Sequence, residues 1–312
     1  MPDLINLTLV SPSKVGIYAS CPIRLVWDSA APRSFTGSKW ADFGTVCHWI
    51  TMDKLGCAPH DVPTEKQLAS ARELEPSKND EIYNARLERC TDLAVKALKT
   101  EYEKLFGPMP DNVCWVSEIP VHDPTLLPTR TSRPKENNDG TITPGKVVGF
   151  GGSMDLMSSN RLIVVDLKFV SKPVTKLKIE YLWQLGSYAM LSGIMKTMIL
   201  WLSTDGKNYY YLVIDWSLPH FRMLLDKIRK FVERTGHANF AAHAIPNEGE
   251  HCEYCESNPG SRNYSTSAPV CPLKHVPMPQ QGNDAASQQG DLSWFDEAIA
   301  QNASVKTGEK LF

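Results

Sequence analysis

Two features that often announce a function are missing from this sequence. Positive charge is not in excess: 33 Lys and Arg stand against 35 Asp and Glu, a formal net charge of −2. That excludes a general basic footprint for a polyanion, so any cations used on one must be placed locally. Long apolar runs are also missing. The opening LINLTLV is short and gives way at once to Ser11-Pro12-Ser13, so neither a signal peptide nor a membrane span is expected. A cytoplasmic, reducing setting follows as the expectation. There the eight cysteines fit free thiols and a metal or cluster site better than disulfides.

What is present is a chain of 312 residues, 42% hydrophobic, enough for one sizeable core. The expected class is α/β, a mixed central sheet flanked by helices. The organising stretch runs from Val147 to Tyr188. In VVGFGGSMDLMSSNRLIVVDLKF two apolar runs flank the polar turn Ser158-Ser159-Asn160, the pattern of a β-hairpin with Asp155 and Asp166 on adjacent strands. Side chains alternate along a strand, so Asp166 and Lys168 share a face while Leu167 turns to the core. Two carboxylates so close repel unless a cation lies between them, and hard oxygen ligands suit Mg²⁺ or Mn²⁺. An ammonium beside such an ion could stabilise charge on a phosphate or lower the pKa of an attacking water.

Along the chain, Ser11-Pro12 predicts a helix start, and Cys21-Pro22 interrupts that helix. A second helix is expected over 35–55, with Trp40, Phe43, Val46, Cys47 and Ile50 on its apolar side. Gly44 in it suggests a close approach by another backbone, with His48 one turn on. Residues 61–76 read as a polar loop. A helix over 79–106 stops at Gly107-Pro108, and a strand over 113–122 carries Glu118. Residues 123–146 read as an insertion, either a hairpin or flap touching phosphates or a solvated loop, with Arg130, Arg133 and Lys135 in it. Lys172, Lys176 and Lys178 are further candidate phosphate contacts. A helix over 178–195 puts Gln184 and Tyr188 one turn apart on one face. Two strands and an amphipathic helix over 216–235 follow.

Gly44-x-x-x-His48, Glu118, Gly152-x-x-Asp155, Asp166-x-Lys168 and Gln184-x-x-x-Tyr188 occur in that order. Together they resemble the signature of the RecB-like branch of the PD-(D/E)XK nuclease superfamily. The resemblance implies a restriction-endonuclease-like core and a metal-dependent DNA nuclease, an exonuclease on single strands or duplex ends serving recombination, repair or replication. It implies His48, Asp155, Asp166 and the carbonyl of Leu167 as ligands of Mg²⁺ or Mn²⁺. Lys168 would position or activate water, and Glu118, Gln184 and Tyr188 would support metal and DNA. The alternative is an accessory module for DNA ends or CRISPR adaptation that cleaves little or nothing.

Cys252 and Cys255 stand at Cys-x-x-Cys spacing, and Cys271 follows before a proline, so the three C-terminal thiols need a fourth ligand. With Cys21 as that fourth, the layout resembles the iron–sulfur RecB-like nucleases, such as AddB-type and CRISPR-associated enzymes, implying a 4Fe-4S cluster that staples the chain ends in a C-terminal lobe. A Zn²⁺ held by four thiolates is the alternative. The expected nuclease domain is 1–279. Residues 280–312 turn to Gln, Asn, Ser, Ala and Gly and read as a disordered tail. Within it, Gln289, Leu292, Trp294 and Phe295 resemble the short peptides that dock on sliding clamps.

Overall fold

The computed structural model describes residues 5–30, 38–57, 62–77, 79–128, 130–131, 135–136, 142–143, 146–172, 174, 177–245, 247, 252 and 306–307. A 3-10 turn at Leu7–Leu9 leads into helices α1 (Pro12–Ser20), α2 (Pro22–Ala30), α3 (Lys39–Lys54), α4 (Glu65–Arg72) and α5 (Asp80–Phe106). Strands β1 (Trp115–Asp123), β2 (Lys135–Glu136), β3 (Ile142–Thr143), β4 (Phe150–Ser158) and β5 (Val164–Val170) follow. Then come α6 (Ile179–Ser192), β6 (Lys196–Ser203), β7 (Tyr209–Asp215), α7 (Pro219–Thr235), α8 (Phe240–His243) and β8 (Lys306–Thr307).

The helix boundaries have local causes. Pro22 has no N–H to continue the ladder, so α1 and α2 part at Cys21. The Ser38 hydroxyl accepts from Ala41 N at the start of α3, and the Asn79 side-chain oxygen Oδ1 accepts from Glu81 and Ile82 N at the start of α5. Gly107, at φ +82°, ends α5.

The expectation of a loop over 61–76 is corrected by α4. Thr64 and Gln67 form a reciprocal capping box, each satisfying the other's backbone N–H, and this nucleates a helix in a stretch whose polarity alone suggested a loop. Across the 123–146 insertion, β2 and β3 pair antiparallel and Thr131 bridges to Val147, a hairpin arrangement.

The main sheet runs β1-β4-β5-β6-β7, with the two-residue β8 added at the β7 edge. Among the described strands only β5 and β6 are parallel, joined through α6 as a parallel pair requires. Alternation along the strands divides two cores. Ile199, Trp201, Leu212 and Ile214 pack with α1, α6 and α7 on one face. Val165, Leu167, Met198, Leu200 and Leu202 pack with α5 on the other. α1 can lie directly on α6 because Gly16 has no side chain: a Cβ there would come within 2.7 Å of Glu180 Cα. Phe43, Val46 and Cys47 of α3 join α4 and α5 in a satellite core. No helix among the described residues is long and apolar enough to cross a membrane.

Candidate active site

The site forms where the β4–β5 ladder stops. Leu156 pairs with Val165 and Met157 with Val164, a register that would next place Asp155 opposite Asp166. Instead, Asp155 Oδ2 accepts from Leu167 N at 2.9 Å, so a side chain takes the position a strand carbonyl would have filled. The two strands part around a pair of carboxylates.

Alternation in β5 works as the sequence implies. Leu167 is fully buried in the α5-side core, and Asp166 and Lys168 emerge together on the other face. Asp166 is 0% exposed. Its Oδ1 accepts from Gln184 Nε2 at 2.8 Å. Lys168 Nζ lies 2.7 Å from Oδ2, at an angle that leaves this oxygen without a well-directed hydrogen bond. Burial pushes the Asp166 carboxyl up to about 6, and Asp155 pushes the same way against the pull of Lys168 and His48. Burial works against the Lys168 ammonium, but Asp166 and Asp155 together outweigh it and hold its proton more tightly than usual.

Helix α6 supplies a relay behind the carboxylate. Gln184 Nε2 also donates to Tyr188 OH at 3.2 Å, and that hydroxyl donates to Ser153 O at 2.8 Å. Burial, then Asp155 and Asp166, push the Tyr188 phenol well above its ordinary value, so it remains a donor. Ser153 Oγ donates in turn to Glu118 Oε2 at 3.1 Å. Ser153 is a site residue that the motif reading passed over, although it lies inside the Gly152-to-Asp155 spacing. Glu118 adopts φ +49°, rare for a residue with a side chain. Its neighbours Ser117 and Ile119 pair with Leu156 and Met154, so this break in β1 faces Asp155.

From the opposite side α3 brings His48. Its Nε2 stands 2.9 Å from Leu167 O, which places the ring proton on Nε2, and its Nδ1 lies 4.0 Å from Asp155 Oδ2. The Phe169 ring packs edge-on against the imidazole, their centroids 5.5 Å apart. The expected role of Gly44, close backbone approach, is corrected. A Cβ there would meet only Phe169 Cβ, at 3.9 Å, and no described backbone.

The donor set fits a hard divalent ion: two carboxylates, one with an under-satisfied buried oxygen, a backbone carbonyl and an imidazole nitrogen. It is not a ready-made cage. Among the described residues no three His, Cys, Asp or Glu side chains are gathered tightly enough to hold a metal ion. In this arrangement the Lys168 ammonium neutralises Asp166, and His48 is turned to the Leu167 carbonyl.

The other candidates are more scattered. The Arg130 guanidinium donates to Gly149 O at 2.6 Å, and burial lowers its pKa. Lys172 and Lys178 are exposed. Cys21 is buried at the α1–α2 break and Cys252 is half-buried. Arg133, Lys176, Cys255, Cys271, Gln289, Leu292, Trp294 and Phe295 lie outside the described residues, as does the tail apart from Lys306 and Thr307.

A mixed sheet sandwiched by helices, with two strand carboxylates and a lysine where a ladder opens, defines a metallonuclease-type site. The chain belongs to the PD-(D/E)XK nuclease superfamily, whose family model matches residues 9–259. Membership implies a metal-dependent nuclease with DNA as substrate, and Mg²⁺ or Mn²⁺ is the usual ion of the superfamily. No match was found among curated proteins. A solved structure described as "Crystal structure of SSO0001" is similar at 15% identity and a TM-score of 0.31, over 81% of this chain and 95% of that one.

Proposed function

We propose that this protein is a RecB-like DNA exonuclease that hydrolyses phosphodiester bonds at single strands or duplex ends. The observation that carries the reading is the convergence of Asp155, Asp166 and Lys168 at the open end of the β4–β5 ladder, backed by Gln184 and Tyr188. His48, Asp155, Asp166 and the Leu167 carbonyl would hold Mg²⁺ or Mn²⁺. That ion, when bound, supplies Lewis-acid polarisation of the scissile phosphate. Lys168 positions the attacking water and offsets charge developing on the phosphate. Gln184 and Tyr188 fix the Asp166 carboxylate, and Glu118 fixes the strand that carries Asp155.

The same reading gives Cys21, Cys252, Cys255 and Cys271 a 4Fe-4S cluster that ties the chain ends, with structural Zn²⁺ as the competitor. Its supports are the Cys-x-x-Cys spacing and the burial of Cys21 beside a helix break. Arg130, Arg133, Lys172, Lys176 and Lys178 would contact DNA phosphates, and the peptide carrying Gln289, Leu292, Trp294 and Phe295 would dock on a sliding clamp. The setting is the cytoplasm.

Digestion of end-labelled DNA with Mn²⁺ by the wild type and by Asp166→Ala tests the hydrolytic reading. Activity confined to the wild type is expected. Equal activity removes Asp166 from the mechanism, and no digestion with any divalent ion favours an accessory role at DNA ends. Protein purified without oxygen should be brown and contain iron. Colourless protein with one zinc per chain overturns the cluster.

A further inference from the structure

Helix α3 places Trp40, Gly44 and His48 at successive turns, with Trp49 beside His48. These residues wall a cavity of about 340 Å³ that Phe169, Glu118 and Lys168 close from the strand side. Lys168, the ion-pair partner of Asp166, thus belongs both to the site and to the cavity.

Two features of this space suit it to a ligand. Trp40 is 42% exposed, and no other Trp, Tyr or Phe among the described residues is as open to solvent. It is nonetheless held: the Arg86 guanidinium lies 5.6 Å from the centre of its ring and 5.0 Å from that of Phe43. Gly44 sits in the interior of a helix, where glycine is less stable than alanine. Protein packing does not demand it, since a Cβ would make one ordinary contact with Phe169. What its missing side chain leaves open is the floor of the cavity.

The occupant has to present flat apolar faces to indole and phenyl rings, polar edges to Thr45 and Glu118, and a phosphate near Lys168. Those are the properties of an unpaired nucleotide. A base in a duplex has its edge paired and both faces stacked, and cannot enter. We infer that the cavity walled by Trp40, Trp49 and Phe169 over Gly44 takes one unpaired nucleobase next to the scissile phosphodiester. The inference rests on the nuclease reading above.

The test uses the full chain with Mn²⁺. Affinity for fluorescent oligo(dT) is measured in an Asp166→Asn background that prevents digestion, and cleavage of oligo(dT) and of blunt duplex in the otherwise native protein. Trp40→Ala and Trp49→Ala should weaken oligo(dT) binding by roughly 5- to 150-fold, the effect of one lost base–aromatic stack. KM should rise and kcat change little. Trp40→Phe should restore most of the affinity. Gly44→Leu should block the cavity, abolish oligo(dT) binding and leave the thermal midpoint no lower.

Unchanged affinity in the Ala and Leu variants overturns the pocket. So does an equal loss on blunt duplex, or no oligo(dT) binding by the Asp166→Asn protein. If that protein digests DNA as fast as wild type, or wild type digests nothing, the nuclease reading fails instead, and the binding arm still decides the pocket.

Discussion

Two buried carboxylates in this protein look alike and sit in different surroundings. Glu101 on α5 is 1% exposed and Asp166 on β5 is 0% exposed. Each has a lysine close by, Lys104 at 2.9 Å and Lys168 at 2.7 Å. Each accepts a hydrogen bond at 2.8 Å from a neutral donor, the Tyr209 hydroxyl or the Gln184 amide. Each keeps one oxygen without a well-directed hydrogen bond. The difference lies in the surroundings. Around Glu101 stand Tyr209, Tyr211 and Lys104, and Lys104 reaches out to solvent. Around Asp166 stand a second carboxylate, Asp155, an imidazole, His48, and a lysine that lines a cavity. Burial with a lysine partner therefore marks a structural ion pair as readily as a site. Convergence of like charges beside an open space separates the two.

The sharpest way to break this comparison is to neutralise each carboxylate. Asp166→Ala should lower nuclease activity on the order of 10³-fold, a loss of several kcal/mol of transition-state stabilisation. Glu101→Gln should leave activity per folded molecule within about twofold and lower stability by about 1–3 kcal/mol through its disturbed buried hydrogen bonds. Initial rates together with urea melts of the two proteins decide the matter. Comparable activity losses would erase the distinction.

The two lysines extend the contrast. Asp166 and Asp155 hold the Lys168 proton against burial, so this group stays a cation at the lining of the cavity. Lys168→Met should reduce kcat about 10²- to 10³-fold. Arginine should restore little, because its planar fork does not match a point-charge ammonium. Lys104→Met, on the other side of the sheet, should keep kcat unchanged.

A third difference is pH. The Asp166 carboxyl is raised from 3.8 to about 6, so between those values the native state binds more protons than the unfolded chain. The sign follows: for this group, stability of the metal-free protein falls as pH rises from about 4 to about 6. A divalent ion that binds the ionised carboxylates offsets the loss. The rise in thermal midpoint on adding Mn²⁺ should therefore be large at pH 8, shrink as pH drops below about 6, and vanish in Asp166→Asn. Glu101→Gln should retain it. An Mn²⁺ shift that survives at pH 8 in Asp166→Asn places the ion elsewhere.

Much of this site is local in origin and so was legible in the sequence. The period-two pattern around Asp166, Leu167 and Lys168 fixed which side chains share a face, and the polar turn at Ser158 to Asn160 fixed which strands are neighbours. The spacing of Gln184 and Tyr188 fixed their common helix face. What could not be read depends on contacts distant in the chain. The ladder stops at Asp155 because its side chain competes for Leu167 N, an outcome that strand propensity does not express. Ser153 joins Tyr188 to Glu118 through its backbone and its hydroxyl separately, so no single motif position reveals it. α4 is different in kind: Thr64 and Gln67 carried a capping signal that polar composition masked. Gly44 was legible as important, but its reason, an open cavity rather than a close backbone, needed the fold.

The smallest effect expected is also the most diagnostic of how the carboxylate is held. Tyr188 OH donates to Ser153 O and accepts from Gln184, which in turn donates to Asp166 Oδ1. Removing the hydroxyl leaves one N–H of the buried Gln184 without a partner, yet leaves both carboxylates and Lys168 intact. Tyr188→Phe should therefore lower kcat about 10-fold and weaken Mn²⁺ binding within the roughly 10- to 100-fold range of outer-shell changes, with KM for DNA unchanged. Gln184→Leu, which removes the direct bond to Asp166, should do more on both counts. Around Glu101 the matching change, Tyr209→Phe, removes a donor of the same length and should alter stability alone. If Tyr188→Phe also leaves kcat and Mn²⁺ affinity untouched, the relay behind Asp166 is packing of the kind that holds Glu101, and the two carboxylates differ only in what lies in front of them.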